Sequence, residues 1–252
     1  MKRKTLAAVV AVCTLLISGP ATFAQDSGPT FRPHEMWACQ YNDGNDQEDM
    51  NEVYDVVREV VGDNRYASWQ LNPFYVGNLV QDFDFIYIGT WADGSTMGTD
   101  LQNDLDNGSQ VGSALSEAAT CASLMFASTG IHTPDMGGDG TGSFIMSISD
   151  CNVAHGRTAG QAMGALRRFG EYRAGNGSPV FMRAWFPVYG GGNAEFDFKL
   201  ITVHQSVQAM GDNFSWYVDN EAYNVENAMT DGLVSCDEAR LYNGRSVLNN
   251  MN

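Results

Sequence analysis

Two aspartates sit where a carboxylate could be tuned for chemistry. Asp84 and Asp197 each lie between phenylalanines, in Phe83-Asp84-Phe85 and Phe196-Asp197-Phe198. A carboxylate beside aromatic rings can titrate high and serve as an acid or a base. The same setting fits a strand start whose Asp accepts backbone N–H bonds. That second reading is preferred, because buried polar groups are satisfied as a rule. Nothing draws the two aspartates together, so a glycosidase-like carboxylate pair is not supported. His204 ends a strand face that carries Phe196, Phe198, Leu200 and Thr202. An imidazole there serves a pocket or simply ends a strand at solvent. His34, His132 and His155 have no His or Cys at ligand spacing, so no metal site is expected. Trp69, Tyr75, Trp91, Trp185 and Tyr189 supply rings for a core or for a pocket taking an apolar ligand. Tyr75, Asp84, Trp91, Tyr189, Asp197 and His204 are the candidate ligand-binding residues. No catalytic residue is assigned, since phosphate loops, dinucleotide fingerprints and nucleophile elbows are all missing from the sequence.

Stepping along the chain shows what must position these residues: the sequence is written twice. Cys39, Gly44, Pro73, Tyr75, Phe83-Asp84-Phe85, Met97-Gly98 and Cys121 recur as Cys151, Gly156, Pro187, Tyr189, Phe196-Asp197-Phe198, Met210-Gly211 and Cys236. Duplication of a unit of about 100 residues predicts a pseudo-symmetric, two-lobed body. Each unit opens with a strand, over 36–41 and 144–149. A helix follows, in the first unit over 48–61, with Met50, Val53, Tyr54 and Val57 at helical spacing. Thr158 and Gln161 form a capping box in the second. Two strands in tandem come next, over 67–75 and 82–90, then 180–189 and 195–205. A looser helical region and a last strand complete each unit. The order is β-α-β-β-α-β, twice, which is the ferredoxin-like split βαβ unit.

Four cysteines lie beyond the leader, two in each unit. Spacing alone leaves three pairings open. The repeat chooses Cys39–Cys121 and Cys151–Cys236, because each unit should close in the same way. Each bridge would be worth on the order of 4 kcal/mol in the chain-entropy model.

Phe83, Phe85 and Tyr87 face one way on their strand, and Ile86 and Ile88 the other; Phe196, Phe198 and Leu200 oppose Ile201 and Val203. A sheet apolar on both faces must be covered on both. Helices cover one face, and the sister unit's sheet is the natural cover for the other. With these features the chain resembles the dimeric α/β-barrel superfamily in its tandem single-chain form. The pattern Trp69-x-x-x-Pro73-x-Tyr75, with the FDF and MG pairs, is similar to that of a group of uncharacterised exported bacterial proteins, from which no activity carries over. The expected fold is α+β: two tandem ferredoxin-like βαββαβ units packed sheet to sheet as a pseudo-dimeric α/β barrel. The resemblance implies pockets between helices and sheet, which serve some members in oxygenation without a cofactor and others as haem enzymes. Haem would take His204 or His155 as axial ligand.

Lys2, Arg3 and Lys4, an apolar run from Leu6 to Ile17 and Thr22-Phe23-Ala24 read as an export signal cleaved after Ala24. The expected divisions are 1–24 signal peptide, 25–35 extension, 36–128 first unit, 129–142 glycine-rich linker and 143–252 second unit. A periplasmic or extracellular location follows, with no membrane attachment after cleavage. The net charge of −16 repels phosphate backbones, so nucleic acid is not an expected partner. A monomer or weak homo-oligomer is expected, with a small apolar or aromatic ligand and no cofactor. The function expected is a non-catalytic small-molecule-binding or stress-related module. The alternative is a cofactor-independent oxygenase, triggered by His204, Asp84 or Asp197, or a haem-dependent enzyme of the superfamily.

Overall fold

Period-two alternation decides which way each strand faces. The structure, a computed structural model, describes residues 30–62, 64–77, 83–134, 142–192 and 194–251. The leader with its cleavage site, residues 25–29 of the extension, half of the glycine-rich segment and part of the first hairpin connection lie outside the described residues. The first half runs β1 (Phe31–Tyr41), α1 (Gln47–Val61), β2 (Tyr66–Tyr75), β3 (Phe85–Trp91), α2 (Gly94–Asp106), α3 (Gln110–Ala118) and β4 (Ala119–His132). The second runs β5 (Phe144–Val153), α4 (Ala159–Gly175), β6 (Phe181–Tyr189), β7 (Phe198–His204), α5 (Val207–Asp219), α6 (Ala222–Thr230), β8 (Val234–Cys236) and β9 (Arg240–Asn249).

Local chemistry sets the helix boundaries. Asp46 caps α1 in a capping box with Asp49, and Thr158 caps α4 in one with Gln161. Each looser helical region is in fact two helices. The break falls on a residue in the left-handed region, Ser109 (φ 53°) and Glu221 (φ 48°). Two strands are longer than their apolar runs suggest. β1 begins at Phe31, and β4 continues to His132, into the stretch read as linker. The last strand of the second half is interrupted: β8 ends at Cys236 and β9 resumes at Arg240.

Within the first half the strand order is β4-β1-β3-β2, and within the second it is β9-β5-β7-β6, with β8 also pairing β5. β2 then pairs β9, and β4 pairs β6. Eight strands therefore close into a barrel. The barrel expected from the sequence is thus a closed one, with the sheets joined edge to edge by β2–β9 and β4–β6 as well as packed across a core. An unpaired edge leaves a row of N–H and C=O groups unsatisfied, and the four edges of two units satisfy one another. β2 and β4 are consequently not free to pair with another chain.

The inner faces still share one core. Met36, Leu71, Ile86, Ile88 and Phe126 of the first half meet Met146, Ile148, Trp185, Ile201 and Tyr242 of the second. Each such side chain stabilises the fold by about 1.5–3 kcal/mol. Phe85 and Tyr87, as expected, face the helices with Met50, Val53 and Tyr54. Phe83 and Phe196 depart from the alternation and pack against the barrel core. The helices form the outer layer, and among the described residues none is long and apolar enough to cross a membrane.

The disulfides are Cys39–Cys121 and Cys151–Cys236, as the repeat predicted. They bridge partners in register across β1/β4 and β5/β8, with Cα atoms 4.1 and 4.0 Å apart.

Candidate functional site

Three rows across the first half's sheet build a pocket floor. Glu35 of β1 lies opposite Gly89 of β3, which lies opposite Ser68 of β2. Trp37, Tyr87 and Gln70 form the next row, and Trp91 faces Tyr66. These side chains point away from the barrel core. α1, α2 and α3 roof them with Val57, Val61, Asp100, Leu101, Val111 and Leu115, leaving a cavity of about 240 Å³.

Polar groups inside it are few and connected. The Tyr66 hydroxyl donates to Glu35 Oε1 at 2.5 Å, and Trp37 Nε1 donates to Oε2 at 2.9 Å. The Tyr66 and Tyr87 hydroxyls lie 2.8 Å apart. With Tyr66 donating to Glu35, Tyr87 donates to Tyr66. Burial pushes the Glu35 carboxyl above the usual carboxylate range, and the two hydrogen bonds oppose that shift. Burial, then the Glu35 charge, push both phenols up, so they stay protonated. On α2, Asp100 Oδ1 accepts from Asn64 Nδ2 at 2.7 Å. Its Oδ2 is buried without a hydrogen bond of normal geometry. Burial raises Asp100, with the Trp91 indole opposing. Gly89 makes the arrangement fit: a Cβ there would stand 2.0 Å from the Tyr66 hydroxyl and 2.6 Å from Glu35 Oε1.

The second half differs at every one of these places. Strand register puts Ser147, Leu200, Thr202 and His204 where the first half has Glu35, Tyr87, Gly89 and Trp91. Val180, two residues before Met182, the partner of Thr202, takes the place of Tyr66. Arg173 takes the place of Val61, counted from the caps Asp46 and Thr158. Its guanidinium lies 4.7 Å from the centroid of the Trp216 ring and 5.4 Å from that of Phe169. Its Nε donates to Ser178 and its Nη2 to Asn213, the counterpart of Asp100. Burial lowers Arg173 to about 10, which leaves it charged at neutral pH.

Of the candidates read from sequence, Trp91 alone lines this cavity. Asp84 Oδ2 accepts the Tyr41 N–H at 2.9 Å, and Asp197 Oδ2 accepts that of Val153 at 2.7 Å. Their own N–H groups donate to Cys39 O and Cys151 O. Both aspartates are exposed and lock the ends of strands. Tyr75 and Tyr189 are each 67% exposed at strand ends. His204 is buried in the second half, whereas the cavity described above lies in the half that carries the tryptophan. His132 lies buried in β4, with Nε2 3.2 Å from Ser178 O. Glu35, Tyr66, Tyr87 and Asp100 were missed. The signal that could have found them is comparison of the repeats at helix-facing positions, where Glu35, Tyr66, Tyr87 and Asp100 meet Ser147, Val180, Leu200 and Asn213.

Haem does not fit this cavity. Its described lining residues include no His or Cys, and its phenols are held protonated. A cavity of roughly 150 Å³ takes benzene, and a tetrapyrrole carries four rings. His155 lies exposed in the loop after β5, and no group of His, Cys, Asp or Glu suited to a metal occurs among the described residues.

No family model and no curated protein matches the sequence. Solved structures do resemble the fold. A protein of Fusobacterium nucleatum, provisionally described as a monooxygenase, superposes with a TM-score of 0.56 at 7% identity, over 87% of this chain and 94% of that one. One from Lactobacillus acidophilus, described in the same way, gives 0.54 at 11% identity, over 87% and 95%. An anthrone oxidase-like protein gives 0.51 at 12% identity, over 87% and 94%. At such identities the likeness is one of fold.

Proposed function

We propose that the protein binds a small, largely apolar, ring-bearing molecule in the cavity between α1, α2, α3 and the first half's sheet. One observation carries this reading: an aromatic cavity lies between helices and sheet in the first half, and the place of its wall residue Val61 is taken in the second half by the buried Arg173. Ligand cavities are concave, mostly apolar and furnished with a few placed polar groups. At about 240 Å³ this one suits one or two rings. A panel of one- and two-ring compounds is expected to raise the melting temperature and to change Trp37 and Trp91 fluorescence. A ligand at 100-fold its Kd adds about 2.7 kcal/mol. Val61→Arg, which copies the second half, is expected to abolish both effects. Undiminished binding in that variant would place the ligand elsewhere.

A second reading is enzymatic. A buried carboxyl with a raised pKa, Glu35, beside apolar walls is the kind of group that removes a proton from a bound substrate. Neighbours in fold described as monooxygenases and as anthrone oxidase-like lend this reading support. In either case we read the chain as a tandem ferredoxin-like pseudo-dimer, divided near residues 128 and 143, that is exported after removal of residues 1–24 and works as a monomer. The two disulfides support an oxidising compartment.

A further inference from the structure

We infer that the ligand of the first half's cavity is an organic cation, a protonated or quaternary amine carried on an apolar body of one or two rings. The inference rests on the binding reading above and names the class of molecule.

Three observations converge on it. First, the wall is acidic and uncompensated. Glu35, Asp100 and Asp104 line the cavity, and no Lys, Arg or His is among its described lining residues. Arg245, 5.5 Å from the Tyr54 ring centroid, is tied to Gln70 and Asn51 and does not line it. An anionic ligand would meet like charge with no counter-ion. Second, the rings form a cage. Trp37, Tyr54, Tyr66, Tyr87 and Trp91 all border the space, and an ammonium over an aromatic face is attracted by the ring quadrupole. Glu35 is already satisfied by two donors, whereas Asp100 Oδ2 has none of normal geometry. A ligand N–H would supply one.

Third, the second half already contains the answer in covalent form. At the place of Val61 it carries a guanidinium, stacked over Trp216 and Phe169 and bonded to Asn213. The second half thus holds a cation beside the residue that matches Asp100, on rings whose places in the first half are taken by Val57 and Asn103. In the first half the tethered cation is replaced by valine, and the neutral amide by a carboxylate. A free cation there would meet a carboxylate where the tethered one meets a neutral amide.

Three two-ring probes of one shape test this: 1-naphthylmethylammonium, 1-naphthylmethanol and 1-naphthoate, titrated calorimetrically at neutral pH and low salt. The ammonium is expected to bind at least about tenfold more tightly than the alcohol, a difference of about 1.4 kcal/mol. The carboxylate is expected to bind weakest. Asp100→Asn should remove the ammonium's advantage over the alcohol. Equal binding of all three, or tightest binding by the carboxylate, overturns the cation inference and leaves the cavity reading standing. Binding by none of the three overturns both.

Discussion

His204 ends β7 with 5% of its surface exposed, and His34 sits in β1 at 7%. Burial, then the nearby Arg173, hold His204 down to about 4; burial, then Arg183, hold His34 down to about 3. Both folded values lie below the unfolded value of 6.5. The unfolded chain therefore binds more protons between those values, and stability present above the unfolded pKa is lost as the pH falls. Each group costs up to about 1.4 kcal/mol per pH unit within its window. Glu35 runs the other way. Its raised folded pKa gives stability that is fully present below the unfolded value and lost as the pH rises through the folded one. Urea midpoints measured from pH 7 down to 4.5 are expected to fall. His204→Asn should make the decline shallower. An unchanged slope would mean that His204 titrates normally. At this scale the sequence spoke clearly about Asp84 and Asp197, whose expected bonds to backbone N–H groups are both present.

Strands and helices make the site by placing residues distant in sequence into single rows. Glu35, Gly89 and Ser68 come from three strands and form one line. Gly89 is the small member that admits the Tyr66–Glu35 pair, for a Cβ there would collide with both. Gly89→Ala is expected to destabilise by about 1–3 kcal/mol, the usual effect of overfilling a packed site. It should also abolish ligand binding, since Tyr66 and Glu35 must move apart. A melting temperature and a ligand response equal to the parent's would show that the row is looser than its geometry implies. The helix breaks were not legible in the sequence, because Ser109 and Glu221 adopt left-handed backbone without being glycine. The capping box at Thr158 was legible, because it is written in local sequence.

Across the whole molecule, the pairings β2–β9 and β4–β6 tie the halves by backbone hydrogen bonds, and Met36, Ile86, Met146 and Ile201 fill a core that neither half completes alone. The halves should therefore unfold together. Chemical unfolding of the disulfide-intact protein is expected to give one transition, coincident by tryptophan fluorescence and far-UV circular dichroism. Two separated transitions would show that each half is stable by itself. A net charge of −16 adds self-repulsion, so the midpoint should be read at a fixed salt concentration.

By itself, the amino-acid sequence determined the doubling, the order of elements, the direction each strand faces and the way the cysteines pair. All of these follow from local periodicity and from comparing two copies of one pattern. Tertiary structure decided the rest. Closure of the barrel depends on how the edges of one half meet those of the other, which no local pattern encodes. The cavity depends on Tyr66, Trp91, Glu35 and Asp100 arriving together from β2, β3, β1 and α2 beneath small wall residues such as Val57 and Val61, where the second half has Phe169 and Arg173.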